Sequence, residues 1–386
     1  MAQYIYVDTD QDLLPWIEHW LQKKLIAIDT EFERTHTYFP VLSLIQVHDG
    51  THAFLVDLLS PAISCAGHDG LSELISNPDV IKVIHSAEED IAVLYHKLGT
   101  APENIFDSQI AAEIAGLAMS LSYSALVDQL QHVHLTKSQT RTNWLQRPLT
   151  QDQMNYAAED VIYLLPIYEQ LRHKIAQQGR SSWISEENAC KRKKAIARYQ
   201  EDGSSYFYRI KHRNALDPQQ QQILMQLCLW REQTARIRDI PRQHVLKDMV
   251  LQAIAKQETI DPNLPYFPGM QYEQKKLVGY RESLQDCLHL AQNPAKQRHI
   301  SLDQALNRKQ AMVLKKLIRY RNKQAEILNI NSNMLASKHL LTRLVKAHYG
   351  RNAWHVHQVI TGWRAAVILP GFMQQLEHIE PVQVST

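Results

Sequence analysis

The feature that most constrains this 386-residue chain is a repeat near its end. WREQTARIRDI (230–240) overlies YRNKQAEILNI (320–330) without a gap, and VLKDMVLQAIAK (245–256) overlies LASKHLLTRLVK (335–346), both at an offset of 90 residues. Apolar positions coincide: Ile240 with Ile330, Val245 with Leu335, Leu251 with Leu341, Ile254 with Leu344. A repeat without strand periodicity predicts two small helical units of related design. The preceding residues must then build a domain of their own.

That first part alternates strand and helix. LIAIDTEF (25–32) begins as an apolar run, TYFPVLSLIQVHD (37–49) reads as a strand entered through Pro40, and HAFLVDLL as a third strand. In VIKVIHSAEEDIAVLYHKLG a strand gives way at Ser86 to a helix that Gly99 ends. From about residue 107 the pattern turns helical, and TQDQMNYAAEDVIYLLPIYEQLRHKIAQQ predicts a helix capped by Thr150 and interrupted at Pro166. The expectation is an α/β domain followed by all-α units.

Charge divides along the same line. Residues 1–170 carry 23 acidic and 8 basic residues (−15), and residues 171–386 carry 17 and 34 (+17). An acidic unit suited to cations joined to a basic unit suited to phosphate backbones fits this split; the plainer reading is two domains that attract each other. No run reaches membrane-span length and the first residues carry acid where a signal peptide carries base, so a cytoplasmic protein is expected. Cys65, Cys190, Cys228 and Cys287 form no C-x-x-C pair, which argues against a zinc site or a disulfide framework and leaves core filling as their role.

Chemistry points to a set of carboxylates. Asp29 and Glu31 are two apart on a strand and so share a face. Asp90 lies in the first turn of the next helix, where Glu88 and Glu89 compete for any role and all three complement the helix dipole. Tyr156 and Asp160, four apart, share a helix face. Each pair alone reads as a strand-end acid or a polar helix edge. Together, four carboxylates offer the hard oxygen ligands that Mg²⁺ or Mn²⁺ prefers. Two such ions about 4 Å apart serve in-line phosphodiester cleavage.

DTEFERTHTYFPVLSLIQV, HSAEEDIAVL, FDSQIAAEIAG, LSYSALVDQL and SQTRTNWLQRPLTQDQMNYAAEDVIYLLPIYEQL resemble, in order, the motif blocks of the ribonuclease D family, the tyrosine-bearing subclass of the DEDD exonuclease superfamily. The repeat resembles that family's two HRDC domains. The resemblance implies a ribonuclease H-like mixed sheet with flanking helices, then two all-α HRDC-type domains. It implies that Asp29, Glu31, Asp90 and Asp160 bind two Mg²⁺ or Mn²⁺ ions and that Tyr156 orients the attacking water, and it selects Asp90 over Glu88 and Glu89. The implied activity is 3′-5′ hydrolysis of RNA with an accessible 3′ end, with transfer-RNA precursors as substrates and a monomer as the acting form.

Domain limits are expected at 1–190 (exonuclease), 191–211 (basic connector), 212–292 (first HRDC) and 300–376 (second HRDC-like). Lys137, Arg141 and Arg147 are candidate phosphate contacts, Trp144 a further substrate contact, and Tyr38, with Phe39, a stacking platform; solvated or core roles compete for each. Thr136 and Asn143 stand where the family pattern leads one to expect acids. His85 could be a base, although strand-end histidines are more often structural. The rivals are a DNA-directed 3′-5′ exonuclease, a non-catalytic RNA-binding adaptor, and a phosphatase for small phosphates. On this reading a chain cut at about residue 212 stays active and binds RNA more weakly.

Overall fold

The computed structural model describes residues 3–135, 142–258, 271–300, 305–349 and 356–377. Its sheet comprises β1 (Tyr4–Val7), β2 (Leu25–Glu33), β3 (Val41–His48), β4 (Ala53–Asp57), β5 (Ile81–Ile84) and β6 (Ile105–Asp107), in the order β1-β4-β3-β2-β5-β6. β3 runs antiparallel to β4, while β1–β4, β2–β5 and β5–β6 are parallel, giving the mixed sheet expected. Ile26, Ala27 and Ile28 of β2 are fully buried, as a central strand covered on both faces requires.

The chain forms two compact units that cut across its linear order. One takes Met1–Glu31, Ser43–Ala195 and Gln304–Thr386; the other takes Phe32–Leu42 and Ile196–Asp303. In the first, the core of the sheet domain continues into the second helical repeat, where Leu317, Leu341, Leu344 and Phe372 are buried. The indoles of Trp183 and Trp363 stack at 4.1 Å, and Trp363 donates from its backbone N–H to Glu186 and from Nε1 to Glu187, each at 2.7 Å. Arg180 reaches the carbonyls of Ile114 and Leu328 at 2.7 and 2.5 Å. Gly116, at φ +86°, lets the Asn329 carbonyl oxygen approach; a Cβ there would meet it at 2.6 Å.

The repeat is structural as well as textual. Helices Pro218–Arg238 and Arg308–Leu328 both open on capping boxes, Asp217 with Gln220 and Asn307 with Gln310, and both end at a left-handed residue, Asp239 and Asn329, each at φ 48°. The buried guanidinium of Arg231 donates to the carbonyl of Leu246 at 3.0 Å; Arg321, its counterpart, donates to that of Ala336 at 2.8 Å. Placing a guanidinium on an otherwise unsatisfied carbonyl fixes the same helical corner twice. In the second unit this core is built from Phe207, Leu224, Leu227, Leu251, Ile254 and Leu284.

Three sequence expectations change. The run through residue 177 is two helices, Gln151–Ile162 and Leu164–Gln177, and the break falls at Tyr163, before Pro166. β3 begins at Val41, because residues 37–40 belong to the loop held in the second unit. Only Cys228 and Cys287 fill core; Cys65 and Cys190 are exposed. Among the described residues no helix is long and apolar enough to cross a membrane.

Candidate active site

Asp29 and Glu31 leave the buried run of β2 on one face, as period-two geometry demands. Asp160 comes from the helix Gln151–Ile162, which Thr150 fixes at its start through a capping box with Gln153. One carboxylate oxygen from each of Asp29, Glu31 and Asp160 lies within 4.8 Å of the others, and all three residues are half-buried. Asp90, 7% exposed in the helix Glu88–Leu98, stands outside that trio and accepts a 2.5 Å hydrogen bond from the Thr30 hydroxyl.

Electrostatics make this cluster costly by itself. Burial, reinforced by Asp90, Asp160 and Glu31, holds the Asp29 carboxyl well above the usual carboxylate range. Burial, with Asp160 and Asp90 adding repulsion, pushes Glu31 up to about 9, and burial lifts Asp160 to about 7 and Asp90 to about 6. Among the described residues no ion pair engages any of the four. All-oxygen donors, like charges and the lack of a compensating base fit a divalent cation and disfavour zinc, which prefers nitrogen and sulfur.

This cost predicts a pH effect. Groups whose folded pKa is raised make stability greatest below their unfolded pKa and lose it as pH rises through the folded value, here from about 4.5 to about 9 for Glu31. The melting temperature of metal-free protein should therefore fall between about pH 5 and about pH 9, and saturating Mg²⁺, which binds the ionised carboxylates, should flatten the fall. Melting curves in chelator and in Mg²⁺ at three pH values check this; a flat or rising metal-free profile contradicts it.

Tyr156 lies one helical turn before Asp160, and its phenol and that carboxylate interact electrostatically. Burial first, then the neighbouring acids, raises the phenol so far that it stays protonated at neutral pH. At neutral pH it is therefore a phenol, not a phenolate base.

Asp107, fully buried, is a hub the sequence reading overlooked. It accepts from the amides of Ser86 and Ala87 at 3.1 and 3.0 Å, holding the turn that launches the Asp90 helix, and it caps the helix Ser108–Ile114. Lys191 neutralises it at 2.8 Å. Thr30 was also overlooked, although its place between Asp29 and Glu31 was the signal available. His85 is structural: its ring nitrogens lie 2.9 Å from the Ser108 hydroxyl and 3.1 Å from the Leu121 carbonyl.

The expected substrate contacts fare differently. Trp144 is 3% exposed, its ring 6.2 Å from that of Tyr156, so it buttresses the tyrosine and has no surface to offer a substrate. Tyr38 lies in the second unit with its hydroxyl on Glu232 and its ring 5.2 and 4.6 Å from the Arg236 and Arg242 guanidinium carbons, so stacking on a base gives way to a structural role. Phe39 is in the same loop, and Asp239 accepts from the amides of both residues at 3.0 and 2.9 Å. Arg147 is committed to Asp57 through two 2.6 Å contacts. Lys137 and Arg141 lie outside the described residues.

Comparison with known proteins agrees with this geometry. A family model described as a 3′-5′ exonuclease matches residues 4–176, and one described as an HRDC domain matches residues 220–261. The chain is 30% identical to ribonuclease D of Pseudomonas paraeruginosa over 96% of its length and 97% of that protein's. It is 32% identical to ribonuclease D of Xanthomonas oryzae over 92% of its length and 94% of that protein's. Its fold matches the crystal structure of Escherichia coli RNase D, described as an exoribonuclease involved in structured RNA processing, with a TM-score of 0.83 and 27% identity, covering 98% of this chain and all of that one. With the acidic trio, the tyrosine beside it and full-length similarity in one chain, this protein belongs to the ribonuclease D family of 3′-5′ exoribonucleases.

Proposed function

We propose that the chain removes nucleoside 5′-monophosphates one at a time from the 3′ ends of transfer-RNA precursors and other small structured RNAs, acting in the cytoplasm as a monomer. The observation that carries the catalytic part is the unneutralised convergence of Asp29, Glu31 and Asp160, with Asp90 on Thr30 beside them. One chain supplies the whole set, which supports a monomer.

The four carboxylates are assigned as ligands of two divalent ions, Mg²⁺ or Mn²⁺, which when bound would supply activation of water and neutralisation of the leaving 3′ oxygen. Asp160 holds its share of this charge one helical turn from Tyr156, whose phenol it neighbours. Tyr156, neutral, orients the attacking water through its oxygen. Trp144, packed beside the tyrosine ring, limits its motion. Lys137 and Arg141 are assigned to the phosphates of the terminal nucleotides. In the linear chain, 1–190 carries hydrolysis, 191–211 connects, and 212–292 and 300–376 are the two HRDC-type repeats.

Tyr156→Phe should lower kcat by about a hundredfold, the size typical of a lost orienting or proton-handling group, and leave RNA affinity within about twofold. Single-turnover rates and equilibrium binding read the two separately, and an equal loss in both would make Tyr156 a substrate contact. The assignment to RNA is tested with a labelled hairpin bearing an unpaired 3′ tail and its DNA equivalent in Mg²⁺. Shortening of the RNA tail well ahead of the DNA tail is expected; preference for DNA would overturn the RNA assignment.

A further inference from the structure

The short helix Ser204–Arg209 and the 3₁₀ turn Arg213–Ala215 carry a charge pattern that the carboxylate site does not explain. Four other arginines of the same unit are paired with carboxylates: Arg231 with Asp248, Arg236 and Arg242 with Glu232, Arg298 with Asp202. Arg209, Lys211 and Arg213 lie within five residues, and among the described residues no carboxylate pairs with any of them. Arg209 and Lys211 are exposed.

Aromatic rings are interleaved with these cations. The Arg209 guanidinium carbon lies 4.7 Å from the Tyr206 ring centre, and that of Arg213 lies 5.5 Å from Tyr208 and 5.9 Å from Phe207. Tyr208 is 36% exposed. Phe207 and Ile210 are buried in the core of the unit, and Gln252 donates to the Lys211 carbonyl, so the segment is pinned while its charges face outward. Stacking on rings fixes the guanidinium planes without neutralising them. A helix-dipole role would account for Arg209 at the helix end but not for Lys211 and Arg213 beyond it.

We infer that Arg209, Lys211 and Arg213, with Tyr208, form a docking surface for single-stranded RNA, the cations meeting successive phosphates and the tyrosine ring stacking on a base. The inference rests on the exoribonuclease reading and adds to it a place where the body of a substrate is held apart from its reacting 3′ end. Backbone charge and stacking are the two sequence-tolerant means of holding an unpaired strand.

The test uses the full chain with Arg209→Ala, Lys211→Ala and Arg213→Ala combined, and Tyr208→Ala separately. Substrates are an oligoribonucleotide of about 4 nucleotides, no longer than a single small binding site, and one with an unpaired stretch of about 20. For the long RNA the triple variant should raise KM about tenfold at unchanged kcat, and the slope of log affinity against log salt should fall by about 2, or roughly 0.7 per lost phosphate contact. Tyr208→Ala should raise the same KM without changing the slope. Short-RNA hydrolysis should be unaffected, and the charge-keeping combination of Arg209→Lys, Lys211→Arg and Arg213→Lys should retain the slope. Unchanged KM and slope in the triple variant would overturn the inference and mark a solvated basic face. Failure of the enzymatic reading has a different signature, since wild-type protein would then leave both RNAs intact.

Discussion

Asp160→Asn should reduce hydrolysis by at least about a thousandfold while the folded protein melts at the same temperature or higher, because it removes ion-held charge stabilisation from the reaction and repulsion from the apo fold. The same direction is expected for Asp29→Asn, Glu31→Gln and Asp90→Asn. The four differ in what else they touch. Asp90 accepts from Thr30, so its replacement also disturbs the contact between its helix and β2. The apo gain should be clearest for Asp29→Asn and Glu31→Gln, whose carboxyls burial and neighbouring acids raise well above the usual carboxylate range with no basic partner among the causes. Rates at about pH 8 and melting curves of the four variants at about pH 9, where the fall in wild-type apo stability is nearly complete, provide the check. Near-wild-type turnover in any one would remove that residue from the site.

Ending the chain at residue 303 should leave an insoluble or far less stable exonuclease domain, contrary to the sequence expectation that everything after about residue 212 is dispensable for activity. Residues 304–386 belong to the same compact unit as the sheet. Their removal strips Trp363 from Trp183, leaves Glu186 and Glu187 without Trp363 and Arg364, and uncovers apolar core. Trp363→Ala alone should cost about 3–5 kcal/mol, as large-to-small changes at buried tryptophans do. Denaturant unfolding of the truncated chain and of Trp363→Ala measures both effects; a truncation as stable as the full chain would show that the shared core contributes little.

Legibility in the sequence followed the range of the interactions. Asp29 with Glu31, and Tyr156 with Asp160, could be paired because strand and helix periods act over two and four residues. The 90-residue repeat was legible because its capping, left-handed corners and buried arginines recur at fixed positions. β1 and β6 escaped notice because strands of four and three residues carry too little periodicity, and the helix Asp10–Leu21 was passed over despite its Thr9 cap. The packed surroundings of Tyr38 and Trp144 are illegible in the sequence for another reason. An aromatic residue near a catalytic motif has the same local sequence whether it faces substrate or core, and what decides is a partner far along the chain: Glu232, 194 residues on, for Tyr38. Choosing Asp90 over its two acidic neighbours needed the family resemblance, because all three lie within one helical turn.

Metal-dependent hydrolysis from the 3′ end is the behaviour these carboxylates are expected to give the chain. A time course on 5′-labelled RNA with an unpaired tail, run in Mg²⁺ and in chelator, tests it most directly. The expected result is a ladder shortening by single nucleotides in Mg²⁺, release of nucleoside 5′-monophosphates, arrest at the duplex, and no reaction in chelator or with Asp160→Asn. Internal cleavage products, or shortening that persists in chelator, would contradict it.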